Sequence, residues 1–197
     1  GASGGPKWLV LAGIDRALWG EFFRARRAPL DIIGSSAGSW RFACAPQPDP
    51  LAALERLEQA YIEQCYTGKP TAEQVTRTAA GILTEVLGPD GGAHIVRHPW
   101  LRTHIVTTRC RALAGSEHRG LQSVGFALSA LANLASRRTL GWTHERVIFH
   151  GAGPQSPFAE LSDLPTRHVA LCEANVRPAL LASGSIPLVL AGVRDIP

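Results

Sequence analysis

One short turn constrains the fold of this chain more than any other feature. Residues 34–38 read Gly-Ser-Ser-Ala-Gly and match the pattern G-x-S-x-G. They follow the apolar run 30–33, which predicts a buried strand, and precede a helical pattern over about 38–43. A sharp strand-to-helix turn with small neighbours lifts its central serine above the edge of a sheet. The sequence therefore predicts an α/β fold with Ser36 as a candidate nucleophile, and the alternative is an ordinary Gly/Ser-rich loop.

Glycines and prolines divide the rest of the chain into alternating helical and β-rich segments. The spacing of apolar residues predicts helices over about 8–23, 51–66, 71–87, 121–137 and 175–182. Runs rich in β-forming residues predict further strands over about 103–110, 146–150 and 168–172. Thr71 and Gln74 suit a capping box at the start of one helix. Because strands alternate with helices, we expect a single α/β domain over residues 1–197, with helices packed on the sheet.

The first predicted helix carries an apolar stripe. Trp8, Leu11, Ile14 and Leu18 recur at helical spacing. A single stripe on a helix of a globular domain usually faces the core. We therefore expect these side chains to pack against the sheet and not to form a membrane-binding face.

Composition narrows the class of protein. The chain is 45% hydrophobic and 18% charged, which is too apolar for a disordered chain. A net charge of +4, spread along the chain, does not call for a nucleic-acid partner. The longest uncharged stretch near the C-terminus, 178–193, is shorter than the roughly 20 residues of a membrane span. The four cysteines form no C-x-x-C pair, which predicts reduced, mostly buried thiols in a cytoplasmic protein, with two disulfides as the alternative.

A glycine-rich loop at residues 1–7 is the second chemical signal. Backbone N–H groups at Gly4 and Gly5 can approach an oxyanion closely because no side chain intervenes. Pro6 has no N–H to offer and suits the first turn of a helix. Taken alone, the loop is equally well explained as a tight turn before a helix. It is not a phosphate-binding P-loop, because Pro6 and Trp8 occupy positions that such a loop reserves for Gly and Ser/Thr.

Together these signals resemble the patatin-like phospholipase family. The chain has a Gly-Gly-x-Lys loop opening a helix and G-x-S-x-G about 30 residues later. Residues 182–187, Ala-Ser-Gly-Ser-Ile-Pro, are similar to the A-S-x-x-x-P segment of that family. The resemblance implies a three-layer α/β/α fold and a Ser–Asp dyad that hydrolyses acyl esters of lipids without a metal or cofactor. It also implies transient contact with a membrane surface by a cytoplasmic, peripheral protein.

The resemblance assigns roles to individual residues. Ser36 is the nucleophile, the oxyanion hole is formed by Gly4, Gly5 and Ala37, and the supporting positions are Lys7, Gly34 and Gly38. The family's base is an Asp in a D-G-G or D-G-A turn downstream of the A-S-x-x-x-P segment. Only Asp195 lies downstream here, and Ile196 follows it. We therefore expect the catalytic Asp beyond Pro197 and the first strand before Gly1. The absence of Met fits a domain trimmed at both ends.

Several alternatives stay open. Asp90-Gly91-Gly92 matches D-G-G in letters, but it precedes the later strands, and we interpret it as a surface turn. A Ser–His–Asp esterase would use His150 or His168 with Asp163. A non-catalytic lipid-binding relative is the other class. His94 and His98 are four residues apart, but Pro99 and the β-like segment around them argue against a helical metal site.

Overall fold

A computed structural model describes residues 1, 6–151 and 156–197 and has an α/β architecture with a four-stranded mixed, open sheet. The strands are β1 (Leu30–Ser35), β2 (Leu101–Cys110), β3 (His144–His150) and β4 (Thr166–Ala170). They lie in the order β1-β2-β3-β4. β1 and β2 are parallel, β2 and β3 antiparallel, and β3 and β4 parallel. The alternation of strands and helices expected from the sequence is confirmed at this level.

Eight α-helices lie within the described residues. They are α1 (Ala12–Ala17), α2 (Ala37–Cys44), α3 (Pro50–Ile62), α4 (Ala72–Leu87), α5 (Gly91–Val96), α6 (Arg119–Ala135), α7 (Leu140–Thr143) and α8 (Glu173–Gly184). α4 begins with the predicted capping box, because the Gln74 N–H donates to Thr71 Oγ1 and the Thr71 N–H donates to Gln74 Oε1. α3 begins at Pro50 after Asp49, whose carboxylate accepts from the Ala52 N–H.

The core lies on one face of the sheet. Strand residues that alternate along the chain, such as Ile32, Ile105 and Phe149, point to this face and pack against the helices. Leu54 on α3, Val86 on α4 and Leu180 on α8 come from the helical side and are at most 1% exposed. Helices α3, α4 and α8 therefore cover this face of the sheet.

The N-terminal segment corrects the predicted apolar stripe. It is a 3₁₀ turn (Pro6–Leu11), then α1, then a π turn (Leu18–Phe22). The buried side chains are Trp8, Asp15 and Trp19, whereas Ile14 is 56% exposed and Leu11 and Leu18 are half-buried. The stripe assumed 3.6 residues per turn throughout. A 3₁₀ turn has about 3.0 residues and a π turn has more than 3.6, so the buried face drifts around the axis.

Two further expectations need correction. The segment around His94 was expected to be β-like, but it forms α5, and Asp90 stands exposed just before this helix. All four cysteines are free thiols, as preferred from their spacing, but only Cys44 is buried. Burial raises the pKa of the Cys44 thiol far above its usual range, so this sulfur behaves as a small apolar side chain.

The connection from β2 to β3 lies beyond the edge of the sheet at which β1 ends. Ser35, the last residue of β1, pairs with Val106, and β2 continues to Cys110 before the chain turns. The chain then forms a 3₁₀ turn (Ala112–Gly115), α6 and α7, and it returns at His144, which pairs with Cys110. This connection and the turn after β1 therefore lie at the same end of the sheet.

None of the helices in the described ranges is long and apolar enough to cross a membrane.

Candidate active site

Ser36 occupies a sharp turn between β1 and α2. β1 ends at Ser35 and α2 begins at Ala37, so one residue makes the whole connection. Its backbone angles are φ 55° and ψ −139°, a region that L-residues rarely adopt and that costs about 1–3 kcal/mol. Such strain persists only where neighbouring contacts hold it in place. The turn predicted from G-x-S-x-G is therefore present, and Ser36 is the strained residue in it.

Gly34 permits the turn because α2 passes directly over it. A Cβ at Gly34 would lie 2.5 Å from Ser39 Cα and 2.7 Å from the Ser39 nitrogen. Both contacts are with backbone that cannot move aside alone. Gly38 is buried in the first turn of α2. The two glycines of the motif thus belong to the packing of the helix on the strand.

Ser183, at the end of α8, ties the turn to the rest of the fold. Its Oγ accepts a hydrogen bond of 2.9 Å from the Ser36 N–H and donates one of 2.6 Å to the Val106 carbonyl on β2. The Ser36 carbonyl accepts from both the N–H and the hydroxyl of Ser39. Ser183 lies in the A-S-x-x-x-P stretch, but the sequence alone assigned it no role. Its position in that stretch was the available signal.

α8 is fixed against α2 by one tryptophan. Trp40 Nε1 donates a 2.9 Å hydrogen bond to the Leu180 carbonyl, and both residues are buried. A Cβ at Gly184 would lie 3.0 Å from the Trp40 ring, so glycine there lets the helix end close to the ring. The segment that carries Ser183 is therefore held beside the turn by packing as well as by its hydrogen bonds.

A buried ion pair anchors α2 from the other side. Arg41 donates to both carboxylate oxygens of Asp15 on α1, at 2.7 Å and 2.5 Å. Asp15 is 1% exposed and Arg41 5% exposed. A bidentate pair has a fixed geometry, and a buried one is strongly destabilised when a single partner is removed. This pair was not predicted from the sequence, because the face expected to be buried on the N-terminal helix was an apolar stripe.

The proposed oxyanion groups are only partly described. Ala37 is the first residue of α2, where an N–H has no carbonyl one turn earlier to bind, and the positive end of the helix dipole lies there. Lys7 is exposed in the 3₁₀ turn. Gly4 and Gly5 lie outside the described residues. Within the described ranges no group hydrogen-bonds the Ser36 hydroxyl, which is the atom that would attack.

A row of four titratable side chains crosses the sheet on the face opposite the core. Asp31 Oδ1 lies 2.9 Å from His104 Nε2, and His104 Nδ1 lies 3.1 Å from His150 Nδ1. His150 Nε2 lies 2.6 Å from His168 Nδ1. Each side chain comes from a different strand, in the order β1 to β4. His150 and His168 could be named from the sequence, but the row could not, because register decides which residues of distant strands meet.

One assignment of protons satisfies every contact in this row. If each ring carries one proton, His168 donates to His150, His150 donates to His104, and His104 donates to the Asp31 carboxylate. His104 is 1% exposed, whereas His168 is exposed. Burial, together with the neighbouring imidazoles, lowers the pKa of His150 to about 4. Burial also lowers the pKa of His104, against the opposing effect of Asp31. The inner rings are therefore neutral near pH 7.

The Ser–His–Asp alternative does not assemble in this arrangement. Asp163 accepts two hydrogen bonds from Arg146, at 2.8 and 2.9 Å, which lower its pKa and direct it away from an imidazole. His104 lies beside Ile33, three residues before Ser36, or about 10 Å along the strand. His150 stands opposite His104 on β3, two strands away from β1 at about 4.8 Å each. No described contact joins Ser36 to a histidine.

The other histidines have structural partners. His94 Nδ1 lies 3.2 Å from Gln47 Oε1, and His98 Nδ1 accepts from the Leu101 N–H. In the described part of the chain, no group of three or more His, Cys, Asp or Glu side chains could hold a metal ion.

No protein-family model, curated protein or solved structure matches this chain. The described geometry offers a strained serine with a helix N-terminus behind it.

Proposed function

We propose that the protein is a serine acyl hydrolase of the patatin-like type, which cleaves carboxyl esters of lipids through an acyl-enzyme on Ser36. The observation that carries the proposal is the backbone of Ser36, held at φ 55° between a strand and a helix. The contact between Ser183 and Ser36 adds support, because it joins two of the stretches on which the resemblance rests. The three-layer α/β/α arrangement is part of this proposal.

In the proposed reaction, Ser36 Oγ attacks the ester carbonyl carbon while its proton passes to a carboxylate base. The tetrahedral oxyanion then collapses, the C–O bond to the alcohol breaks, and the alcohol leaves with a proton from the base. Water attacks the acyl-serine by the same steps in reverse and releases the fatty acid. The reaction balances without a cofactor or a metal.

Of the three proposed oxyanion donors, the Ala37 N–H is the one that lies within the described residues. Residues Ala37–Cys44 form a helix of eight residues, and its N-terminal dipole favours negative charge at this point. The resemblance adds the N–H groups of Gly4 and Gly5. One oxyanion donor typically contributes about 10² to 10³ in rate. Replacing Gly4 with a bulky residue should therefore lower the rate of hydrolysis severely.

The base in this proposal is the Asp of the patatin-like dyad, expected beyond Pro197. An unassisted serine hydroxyl is a poor nucleophile. We therefore expect residues 1–197 alone to lack turnover and a chain that includes this Asp to have it. Full activity from residues 1–197 would contradict the assignment of a carboxylate beyond Pro197.

The adjacent serines provide the central test. In a chain that includes this Asp, Ser36→Ala should lower hydrolysis of a p-nitrophenyl ester by about 10³-fold or more. Ser35→Ala changes the last residue of β1 and should leave most turnover intact. His150→Ala and His168→Ala should also change little. Equal activity of Ser36→Ala and the native protein would overturn the proposal. A collapse on loss of one histidine would favour a Ser–His–Asp enzyme, and folded protein without turnover would favour a non-catalytic lipid-binding relative.

A further inference from the structure

Helix α6 has inverted polarity. Its buried residues are Gly125 and Ser129. A Cβ at Gly125 would lie 2.3 Å from the Ala114 nitrogen, and Ser129 donates a hydrogen bond to Thr143. Phe126 packs beside His144, but the other large apolar side chains of α6 point outward. They form what we call the α6 patch, with exposed fractions between 48% and 83%: Leu121, Val124, Leu128, Leu131, Leu134 and, from α7, Trp142.

This arrangement calls for a partner on the outer face. A helix in a globular domain normally buries its apolar stripe and exposes polar residues. Here small and polar residues face the protein and leucines face outward, along a stripe that repeats every three or four residues. Scattered exposed leucines need no explanation, but a contiguous apolar stripe marks an interaction surface.

The charge around the patch favours an anionic surface. α6 contains no Asp or Glu. Between Arg109 and Glu145 the chain has five arginines and two glutamates, a net charge of +3 out of the +4 of the whole chain. Arg137 and Arg138 follow the end of α6 and are exposed. Basic residues beside an apolar helical face, with an exposed tryptophan, are typical of helices that lie on anionic lipid.

Part of this basic charge, joined by Arg167, borders the same end of the sheet. Glu145, at the start of β3, is surrounded by three arginines. Arg111 lies 2.6 Å from it, Arg109 3.5 Å and Arg167 3.8 Å. The arginine side chains are between 39% and 56% exposed, whereas that of Glu145 is 9% exposed. One buried carboxylate therefore leaves an excess of positive charge facing solvent.

The patch is continuous with the turn that carries Ser36. The segment after Ser183 exposes Ile186 and Val189, and Arg119 at the start of α6 donates to the Leu188 carbonyl. Ser183 itself binds the Ser36 N–H. β1 and β2 both end on this side of the sheet, and the connection carrying α6 lies beyond their ends. A surface that docks here thus meets the molecule on the side of Ser36.

We propose that the α6 patch docks the protein on anionic lipid bilayers. This inference rests on the proposed function and deepens it. A lipid hydrolase needs its substrate at the serine, and docking on a bilayer would bring it there. The leucines and Trp142 enter the headgroup region, and the arginines beside them pair with lipid phosphates. Lipid chains do not reach the core through this helix, whose inner face is closed against the 3₁₀ turn after β2.

Vesicle sedimentation tests the docking without any turnover. Vesicles with about a third phosphatidylglycerol in phosphatidylcholine should bind the protein, and pure phosphatidylcholine should bind it weakly. The double variant Leu128→Glu and Leu131→Glu should lower the partition coefficient about tenfold or more. Val10→Glu changes an 82% exposed apolar residue on another segment and is the matched control, with binding unchanged. Arg137→Gln with Arg138→Gln should weaken only the dependence on phosphatidylglycerol.

Tryptophan fluorescence gives an independent readout. Trp142 is 74% exposed, whereas Trp8, Trp19 and Trp40 are buried. Addition of anionic vesicles should therefore shift the emission to shorter wavelength, and Trp142→Phe should remove most of that shift. Circular dichroism of each variant verifies that the helix content is retained.

The outcomes separate docking from catalysis. Loss of vesicle binding with unchanged turnover of a soluble ester supports docking by α6. Vesicle binding by a protein without esterase activity also supports docking and contradicts the proposed function alone. Unchanged binding by the double leucine variant would overturn the inference, as would equal binding to neutral and anionic vesicles. A dimer that the same variant dissociates, without vesicle binding, would assign the patch to a second copy of the chain and overturn it too.

Discussion

At the scale of single residues, the turn between β1 and α2 depends on the lack of a side chain at Gly34. Gly34 has no Cβ, and that absence allows α2 to lie 2.5 Å from where the atom would stand. Ser36 contributes its strained backbone, which needs support from outside the motif. The motif is therefore as much a packing requirement as a chemical one, and substitutions can separate the two.

Gly34→Ala should destabilise the protein by about 1–3 kcal/mol, because the added carbon collides with the backbone of Ser39. Urea unfolding followed by circular dichroism measures the loss. Gly81→Ala on α4 is the control, since a Cβ there meets nothing within 4 Å. It should be neutral or stabilising by up to about 1 kcal/mol, because alanine is the better helix former. Equal stability of the two variants would contradict the close packing at Gly34.

Ser183→Ala should lower turnover and stability together. The substitution removes the acceptor of the Ser36 N–H and the donor to the Val106 carbonyl, and each unpaired group costs about 1–3 kcal/mol when buried. Both groups here are partly buried, so the lower end applies. Ser185→Ala, just after α8, loses only a bond to the Leu181 carbonyl of that helix and should be nearly neutral. Unfolding curves and ester turnover of the two variants decide whether Ser183 positions the turn.

At the scale of elements, α2 is the centre of the site. It carries the serine turn at its N-terminus, packs on α8 through Trp40 and is held to α1 by Arg41. Its eight residues are all buried, so its position is set by neighbours and not by helix propensity. The contacts made by α2 therefore link the stability of the N-terminal segment to the geometry of the site.

Asp15→Ala should be among the most destabilising changes on the N-terminal segment. It leaves the Arg41 guanidinium buried without a counter-charge, which typically costs about 3–5 kcal/mol. Arg16→Ala, one residue along, removes an ion pair with Glu58 in which Arg16 is half exposed, and should cost at most about 1 kcal/mol. Denaturant unfolding of both variants provides the comparison. If both variants lost a similar free energy of unfolding, burial of the Asp15–Arg41 pair would not make its loss more costly than that of the exposed pair.

At the scale of the whole molecule, the row from Asp31 to His168 links all four strands. It can hold one extra proton without losing a contact, because the rings can change tautomer in series. A second extra proton on the three imidazoles would bring two N–H donors face to face. Arg102, 3.3 Å from Asp31, and Phe158, packed on the His104 ring, also border the row. The sheet is therefore sensitive to the protonation of this row.

Stability should fall as the pH falls from about 6.5 to about 4. The folded His150 has a pKa of about 4 and the unfolded one about 6.5, so the unfolded state binds more protons in this window. His150→Asn should flatten the dependence of the unfolding midpoint on pH. His118→Asn, outside the row on the loop before α6, should leave it unchanged. A native protein with constant stability across this window would contradict the neutral row.

The fold class and the serine turn could be predicted because their signals are local. A G-x-S-x-G between an apolar run and a helical pattern is complete within about fifteen residues, and the capping box of α4 within four. Helix ends were less accurate. α3 ends at Ile62 and not near Tyr66. The glycine and proline that follow set a limit beyond which the helix cannot continue, but they do not fix where it ends. Local patterns specify which element forms and leave its last turn open.

The remaining features of the site depend on residues distant in the chain. Ser36 and Ser183 meet across the fold, and Asp31 meets His104 because of strand register. The face of the N-terminal segment that became buried was set by its 3₁₀ and π turns, which the average helical period does not anticipate. The sequence by itself determined the strand–serine–helix turn, since adjacent residues encode it. Only the tertiary structure decided what supports that turn and which face of α6 is exposed, because packing selects among faces that periodicity leaves equivalent.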